Sequence, residues 1–132
     1  MNEKKIIKQL NEGSFYMTHD GSETGHPGMI YWKSDEKNLY LAFKTDTSDG
    51  PHRTKLTVKT DDIVDESYVM NRPFLGKRKD FGSKELTDMH FSLEDYDILI
   101  TISQKKPICS SSINRKDRRK LPKDTTFNRK RG

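Results

Sequence analysis

The runs Met29-Ile-Tyr-Trp-Lys33 and Leu39-Tyr-Leu-Ala-Phe-Lys44, separated by the polar segment Ser34-Asp-Glu-Lys-Asn38, decide the fold of this chain. Both runs are apolar and aromatic, and the polar residues between them are typical of a turn. The pattern predicts a β-hairpin. The five residues 39–43 are the longest apolar run in the sequence, against the roughly 20 that a membrane-spanning helix needs.

Further strands are predicted on both sides of the hairpin. Residues 14–17 form a short run with strand character, and residues 54–59 alternate polar and apolar side chains. Residues 67–70 continue the pattern. Several strands joined by short turns predict a mainly β (α+β) fold, built as a strongly bent antiparallel sheet or a small barrel over residues 14–104.

Helices are predicted before the first strand and after the last one. Asn2 can cap a short helix that runs to about Asn11, with Gly13 as its stop signal, so that residues 1–13 form an N-terminal helix. Ser92 and Asp95 resemble a capping box ahead of residues 96–102. The β-branched content of residues 96–102 also fits a strand, so both alternatives stay open.

The positive charge is concentrated at the C-terminal end. Residues 105–132 hold 11 Lys and Arg against 2 acidic residues, a net charge of +9, whereas residues 1–104 hold 14 against 18, a net charge of −4. Such a block predicts a disordered basic tail that attracts nucleic acid without reading its sequence. A solubilising tail without a specific target is the alternative.

Two polar loops flank the hairpin strands. Gly21-Ser-Glu-Thr-Gly-His-Pro-Gly28 and Lys44-Thr-Asp-Thr-Ser-Asp-Gly-Pro-His-Arg53 each combine glycine, hydroxyl side chains, a histidine and a proline. Loops on a rigid sheet often carry binding or catalytic residues, so these loops predict a cleft. Ordinary solvated turns would show the same composition.

The order of these motifs resembles that of the PemK/MazF-like superfamily, the toxins of type II toxin–antitoxin systems. Gly25-His26-Pro27 precedes an apolar strand, Thr47-Ser48 (or Thr45) follows the hairpin, and Ser67-Tyr-Val-Met-Asn-Arg-Pro73 continues the sheet. The resemblance covers roughly residues 14–104. It implies an SH3-like barrel, a homodimer with an antitoxin partner, and cleavage of single-stranded RNA without a metal or other cofactor.

The resemblance also implies roles for particular residues. Where the family has an arginine before the proline, this chain has His26, which can give or take a proton near neutrality but lacks the permanent charge of arginine. His26 would be the acid or base, Thr45, Thr47 or Ser48 a donor to phosphate, and Arg53 a charge-stabilising group. A role in stabilising turns is the alternative for the hydroxyl residues.

A second set of residues is predicted to bind RNA. Residues 71–82 interleave aromatic and basic side chains in an expected loop, and cations with aromatic faces suit single-stranded RNA. The predicted RNA-binding residues, including three from the basic tail, are Arg72, Phe74, Lys77, Arg78, Lys79, Arg115, Arg118 and Arg119. The alternative places the phenylalanines in the core.

Other classes of function find little support in the residues. One cysteine, Cys109, allows neither a zinc finger nor an internal disulfide and is consistent with the cytoplasm. The acidic residues 61–66 could hold a divalent ion with Asp46 or Asp49, but charge runs of this kind are typical of solvated segments. A non-catalytic module that binds nucleic acid or protein on the same fold is the main alternative to a ribonuclease.

Overall fold

The computed structural model describes residues 9–19, 25–34, 38–60 and 64–127 of the chain. Short 3-10 helices lie at Arg78–Asp80 and Leu93–Asp95. The strands and helices, in chain order, are β1 (Phe15–Thr18), β2 (His26–Lys33), β3 (Leu39–Asp46), β4 (Arg53–Lys59), β5 (Val64–Met70), β6 (Phe74–Lys77), β7 (His90–Phe91), α1 (Tyr96–Ser103), β8 (Ile108–Cys109) and α2 (Arg115–Arg119).

Strand β3 organises the sheet. One of its edges pairs antiparallel with β2, which confirms the predicted hairpin, and β2 in turn pairs with β1. The other edge pairs with β6 over residues 39–42 and with β5 at Thr45 and Asp46. Because two strands share one edge of β3, the sheet bends into a half-barrel with the strand order β1-β2-β3-β5-β4-β7. The prediction of a mainly β, bent antiparallel sheet is confirmed.

Both faces of β3 are buried. Leu39, Leu41 and Phe43 point into the larger core, which also contains residues of β1, β4, β7 and α1. Tyr40 and Ala42 point into a second core on the opposite face. Successive residues of a strand point to opposite faces, so a strand buried on both sides has a continuous apolar sequence rather than an alternating one.

Residues 93–103 are helical, which settles the alternative between helix and strand. The Ser92 hydroxyl accepts a hydrogen bond from the Glu94 N–H at 3.4 Å and begins the 3-10 turn that leads into α1. Asp95 does not complete the predicted capping box with Ser92. Its carboxylate instead accepts a hydrogen bond from the Thr57 N–H at 2.8 Å, which ties the start of α1 to β4.

Two predictions for the second half of the chain are wrong in the described residues. The expected loop at residues 71–82 contains β6 and a 3-10 helix, because Phe74 and Phe81 are buried in the second core. The expected disordered tail is ordered from residue 105 to residue 127. It forms β8, which pairs parallel with β6, and α2.

Polar contacts and one aromatic side chain hold this C-terminal segment on the domain. The Ser112 hydroxyl donates to the Asp80 carboxylate at 2.7 Å, and Lys77 Nζ lies 3.4 Å from the Asp117 carboxylate. Phe127 is only 6% exposed and packs in the larger core. These anchors are far apart in a highly charged sequence, which is why composition alone suggested disorder. Residues 128–132 lie outside the described part.

At the N-terminal end, residues 1–8 of the predicted helix lie outside the described residues. Residues 9–11 are not helical, and Gly13 has a φ of 88°, in a turn that precedes β1. In the described part of the chain, no helix is long and apolar enough to cross a membrane.

Candidate functional site

The ends of several strands meet in a cleft of about 220 Å³. The register brings them together: Gly28 near the start of β2 lies opposite Lys44 near the end of β3, and Arg53 at the start of β4 lies opposite Met70 at the end of β5. The cleft is lined by His26, Lys44, Asp46, Arg53, Met70, Arg72, Phe74 and Ile108. The two polar loops predicted to form a cleft thus contribute His26 from one and Lys44, Asp46 and Arg53 from the other.

His26 is held by the pairing of β1 with β2. It lies opposite Thr18, whose buried hydroxyl donates to the His26 carbonyl oxygen at 2.7 Å. Gly28 allows the three strands to approach here, since a Cβ at this position would lie 2.9 Å from Thr18 Cγ2 and 3.0 Å from the Phe43 carbonyl oxygen. The backbone of His26 is therefore fixed, while its half-buried imidazole lines the cleft.

Asp46 and Arg53 form an ion pair in the lining of the cleft, with 3.0 Å between Arg53 Nη2 and Asp46 Oδ2. Burial by itself would raise the pKa of Asp46, but the Ser48 N–H, the Arg53 guanidinium and His26 together lower it. Arg53 also donates to the carbonyl oxygens of Ser48 and Asp49 at 3.4 and 3.2 Å. The carboxylate is therefore ionised at neutral pH and offsets one positive charge of the cleft.

Two further cations lie in the lining. The Arg72 guanidinium donates to the carbonyl oxygens of Lys106 and Pro107, from Nε at 2.7 Å and from Nη2 at 3.1 Å. These bonds orient an exposed side chain through the C-terminal segment. The Lys44 ammonium lies 5.3 Å from the centre of the Phe74 ring, a distance at which a cation–π attraction favours this position.

The three hydroxyl residues predicted as donors to phosphate lie in different environments. Thr45 is 4% exposed, and its hydroxyl donates to the Pro27 carbonyl oxygen, so it links β3 to β2. Thr47 and Ser48 are exposed in the turn after β3, outside the lining of the cleft. The Ser48 hydroxyl donates to Asp46 Oδ1 at 3.3 Å and reaches the cleft only through that carboxylate.

The predicted RNA-binding residues fall into separate groups. Arg72 and Phe74 both line the cleft, but Phe74 is only 4% exposed and the Lys44 ammonium lies over its ring, so little of the ring is open to a base. Lys77 and Arg78 make contacts within the domain, and Lys79 is exposed. Arg115, Arg118 and Arg119 are exposed on α2 and line a different concavity.

Sequence reasoning assigned no site role to four residues of the cleft, Lys44, Asp46, Met70 and Ile108. Lys44 and Asp46 belonged to the polar loop predicted to form a cleft, but Lys44 received no role of its own and Asp46 only that of a possible metal ligand. Met70 was predicted only as part of a strand. Ile108 was placed in a disordered tail. The signal for Lys44 and Asp46 was their position in the polar loop, but their convergence on His26 depends on the pairing of β3 with β2, which pattern alone does not specify.

No group of three or more His, Cys, Asp or Glu side chains within the described residues could hold a metal ion. Comparisons of the chain with protein-family models, curated proteins and solved structures gave no match.

Proposed function

We propose that the cleft binds the phosphodiester backbone of single-stranded RNA and that the protein cleaves it as a metal-independent endoribonuclease. The observation that carries the proposal is the convergence of one imidazole, His26, with the cationic side chains of Lys44, Arg53 and Arg72 in a single cleft. A phosphate group needs positive charge and hydrogen-bond donors, and RNA cleavage needs a group that transfers protons near neutral pH.

The reaction would proceed by internal transfer. The ribose 2′-oxygen attacks the adjacent phosphorus and loses its proton, while the bond from phosphorus to the 5′-oxygen breaks and that oxygen takes up a proton. The products are a 2′,3′-cyclic phosphate and a 5′-hydroxyl end. The His26 imidazole accepts or supplies one of these protons, and solvent completes the other transfer. Lys44 and Arg72 offset the charge on the phosphoryl oxygens.

Asp46 serves this site as a carboxylate that holds Arg53. With its pKa lowered, it is a weak base at neutral pH and leaves proton transfer to His26. The finer classification as an SH3-like barrel, and the role of a cytoplasmic toxin with an antitoxin partner and a dimeric assembly, are supported by the resemblance to the PemK/MazF-like superfamily and form part of the proposal.

A second candidate is a non-catalytic module that binds nucleic acid. It is favoured by the state of Arg53, which is already paired with Asp46 and bonded to two backbone carbonyl oxygens. A guanidinium held in this way contributes less to the charge that develops in a transition state.

The test is incubation of labelled single-stranded RNA in EDTA with the wild-type chain, His26→Ala and the control His52→Ala. His52 is exposed and does not line the cleft. We expect 2′,3′-cyclic phosphate ends from the wild type and the control, and a rate at least about 100-fold lower for His26→Ala. His26→Ala should still bind RNA. If the wild type binds RNA without cleaving it, the non-catalytic binding module is supported and the ribonuclease is contradicted. Full activity of His26→Ala would contradict the role of His26 in proton transfer.

A further inference from the structure

A second concavity, of about 500 Å³, lies between the segment 106–109 and α2. We call it the basic groove; it is lined by Lys106, Pro107, Cys109, Arg115, Arg118, Arg119 and Leu121. All four of its cationic side chains belong to exposed residues. Among the described residues that line it there is no carboxylate, so the groove carries a locally uncompensated positive charge.

The acidic residue of α2 is directed away from this charge. Asp117 is 8% exposed, accepts a hydrogen bond from the Asn114 N–H at 3.0 Å and pairs with Lys77 at 3.4 Å. Its carboxylate therefore caps the helix and joins it to β6. Arg115, Arg118 and Arg119 remain on the exposed side of α2, held in place by a helix that is itself anchored.

The basic groove adjoins the cleft across a single strand. Ile108 lines the cleft and Cys109 lines the groove, as expected for successive residues of β8 that point to opposite sides. Arg72 of the cleft donates to the carbonyl oxygens of Lys106 and Pro107, both of which line the groove. From Lys106 to Ile108 the chain extends only about 7 Å. Ile108, which is 36% exposed, offers an apolar surface between the two concavities.

We infer that the basic groove is a second subsite for the RNA strand held in the cleft, so that the strand crosses the exposed edge at Ile108 and continues past Lys106 onto the arginines of α2. The inference rests on the proposed RNA substrate. It differs from attraction by a disordered tail because fixed cations favour only strands long enough to reach them. Affinity should therefore rise with strand length beyond what fills the cleft.

The test measures binding of two non-cleavable 2′-O-methyl RNAs of mixed sequence, a trinucleotide and a dodecanucleotide, over a range of salt concentrations. The groove variant is Arg115→Gln, Arg118→Gln and Arg119→Gln combined. The charge-matched control combines Arg129→Gln, Lys130→Gln and Arg131→Gln, which removes the same number of charges from the same end of the chain. Thermal unfolding verifies that both variants fold.

We expect the groove variant to lose at least about tenfold in affinity for the dodecanucleotide and to reduce the salt slope by about 2, since each phosphate contact on a single strand contributes about 0.7. Trinucleotide binding should be unchanged, and the control should lose less than about threefold. Equal losses in both variants would show diffuse attraction and overturn the inference. Tighter binding of poly-L-glutamate than of the dodecanucleotide by the wild type would also overturn the inference.

These outcomes are independent of catalysis. Groove-dependent binding without cleavage would support the second subsite and contradict the ribonuclease. Cleavage that depends on His26, together with equal losses of affinity in the groove variant and the control, would support the ribonuclease and contradict the second subsite.

Discussion

Arg53 at the start of β4 and Asp46 at the end of β3 are joined by an ion pair of 3.0 Å inside the candidate cleft. The pair sets the charge that an approaching phosphate meets, because it neutralises one of the three cations beside His26. Its partners also lie in different strands, so the pair connects the end of β3 to the start of β4.

Opposite effects are expected from the two members of this pair. Arg53→Gln leaves the Asp46 carboxylate unpaired and should weaken RNA binding by about tenfold, whereas Asp46→Asn removes the carboxylate, releases the guanidinium and should strengthen binding a few-fold. Fluorescence anisotropy with labelled single-stranded RNA measures both. If Asp46→Asn weakens binding instead, the carboxylate matters more for holding Arg53 in place than for the charge it neutralises.

Gly50 leaves room for the Arg53 guanidinium. A Cβ at this position would overlap Arg53 Nη1, the end of a flexible side chain, so Gly50→Ala should displace the guanidinium at little cost to the fold. RNA affinity should fall as in Arg53→Gln, while the free energy of unfolding changes by less than about 1 kcal/mol. The matched control is Gly82→Ala, whose added Cβ would make an ordinary contact of 3.5 Å with Met17 Cβ and should leave binding unchanged.

Tyr31 carries a buried polar atom without a partner. Its ring is stacked on Phe43, its side chain is 4% exposed, and its hydroxyl has no hydrogen-bond partner among the described residues. Tyr31→Phe should therefore raise the free energy of unfolding by roughly 1 kcal/mol, measured by urea denaturation.

The difference in the free energy of unfolding between Tyr31→Phe and the wild type should grow at alkaline pH. Burial raises the pKa of Tyr31 above its ordinary value of 10.0, so the unfolded chain ionises first and the wild type loses stability as the pH rises past that value. Tyr31→Phe lacks this loss. Tyr16→Phe is the contrasting control, because the Tyr16 hydroxyl accepts from the Asn11 N–H at 3.0 Å and its removal should destabilise the fold.

Asp117 makes the anchoring of α2 sensitive to acid. The Asn114 N–H lowers the pKa of its carboxyl group, against the opposing effect of burial, and Lys77 lowers it further. The stabilisation is therefore complete above the unfolded value of 3.8 and is lost as the pH falls through the lower folded value. Wild type should exceed Asp117→Asn in Tm near neutral pH and converge with it in strong acid. A constant difference across the pH range would contradict this role.

Much of the β fold was predictable from the residues. Residues 39–43 are continuously apolar, as expected for a strand that is buried on both faces and not for one with a solvent-exposed face. The polar turn before them indicated the hairpin. The ends of the chain were less predictable. Ser112, Asp117 and Phe127 anchor a basic segment, and each attaches it to the rest of the domain through a partner distant in sequence.

The candidate site was predictable in part. The loops that carry His26 and Arg53 were selected from their composition and the two residues from the family resemblance, and the structure brings both side chains into one cleft. The Thr45 hydroxyl is the kind of group that can donate to a phosphate, but the pairing of β2 with β3 directs it to the Pro27 carbonyl oxygen. Arg72 was chosen for its charge, whereas its orientation depends on residues 106 and 107, which were expected to be disordered. Side-chain roles thus depended on tertiary contacts.

Phe127 tests whether the C-terminal segment is part of the domain. Its ring lies 5.3 Å from those of Phe43 and Tyr96, and its N–H donates to the Ser103 hydroxyl at 2.8 Å. Phe127→Ala should lower the free energy of unfolding by about 3 kcal/mol, measured by urea denaturation, as expected for a buried phenylalanine. A chain that ends at Phe127 is the control and should unfold like the full chain, since it retains the ring. If Phe127→Ala unfolded like the wild type, residues 105–127 would be a dispensable tail, and the basic groove would lose the fixed geometry on which its length dependence relies.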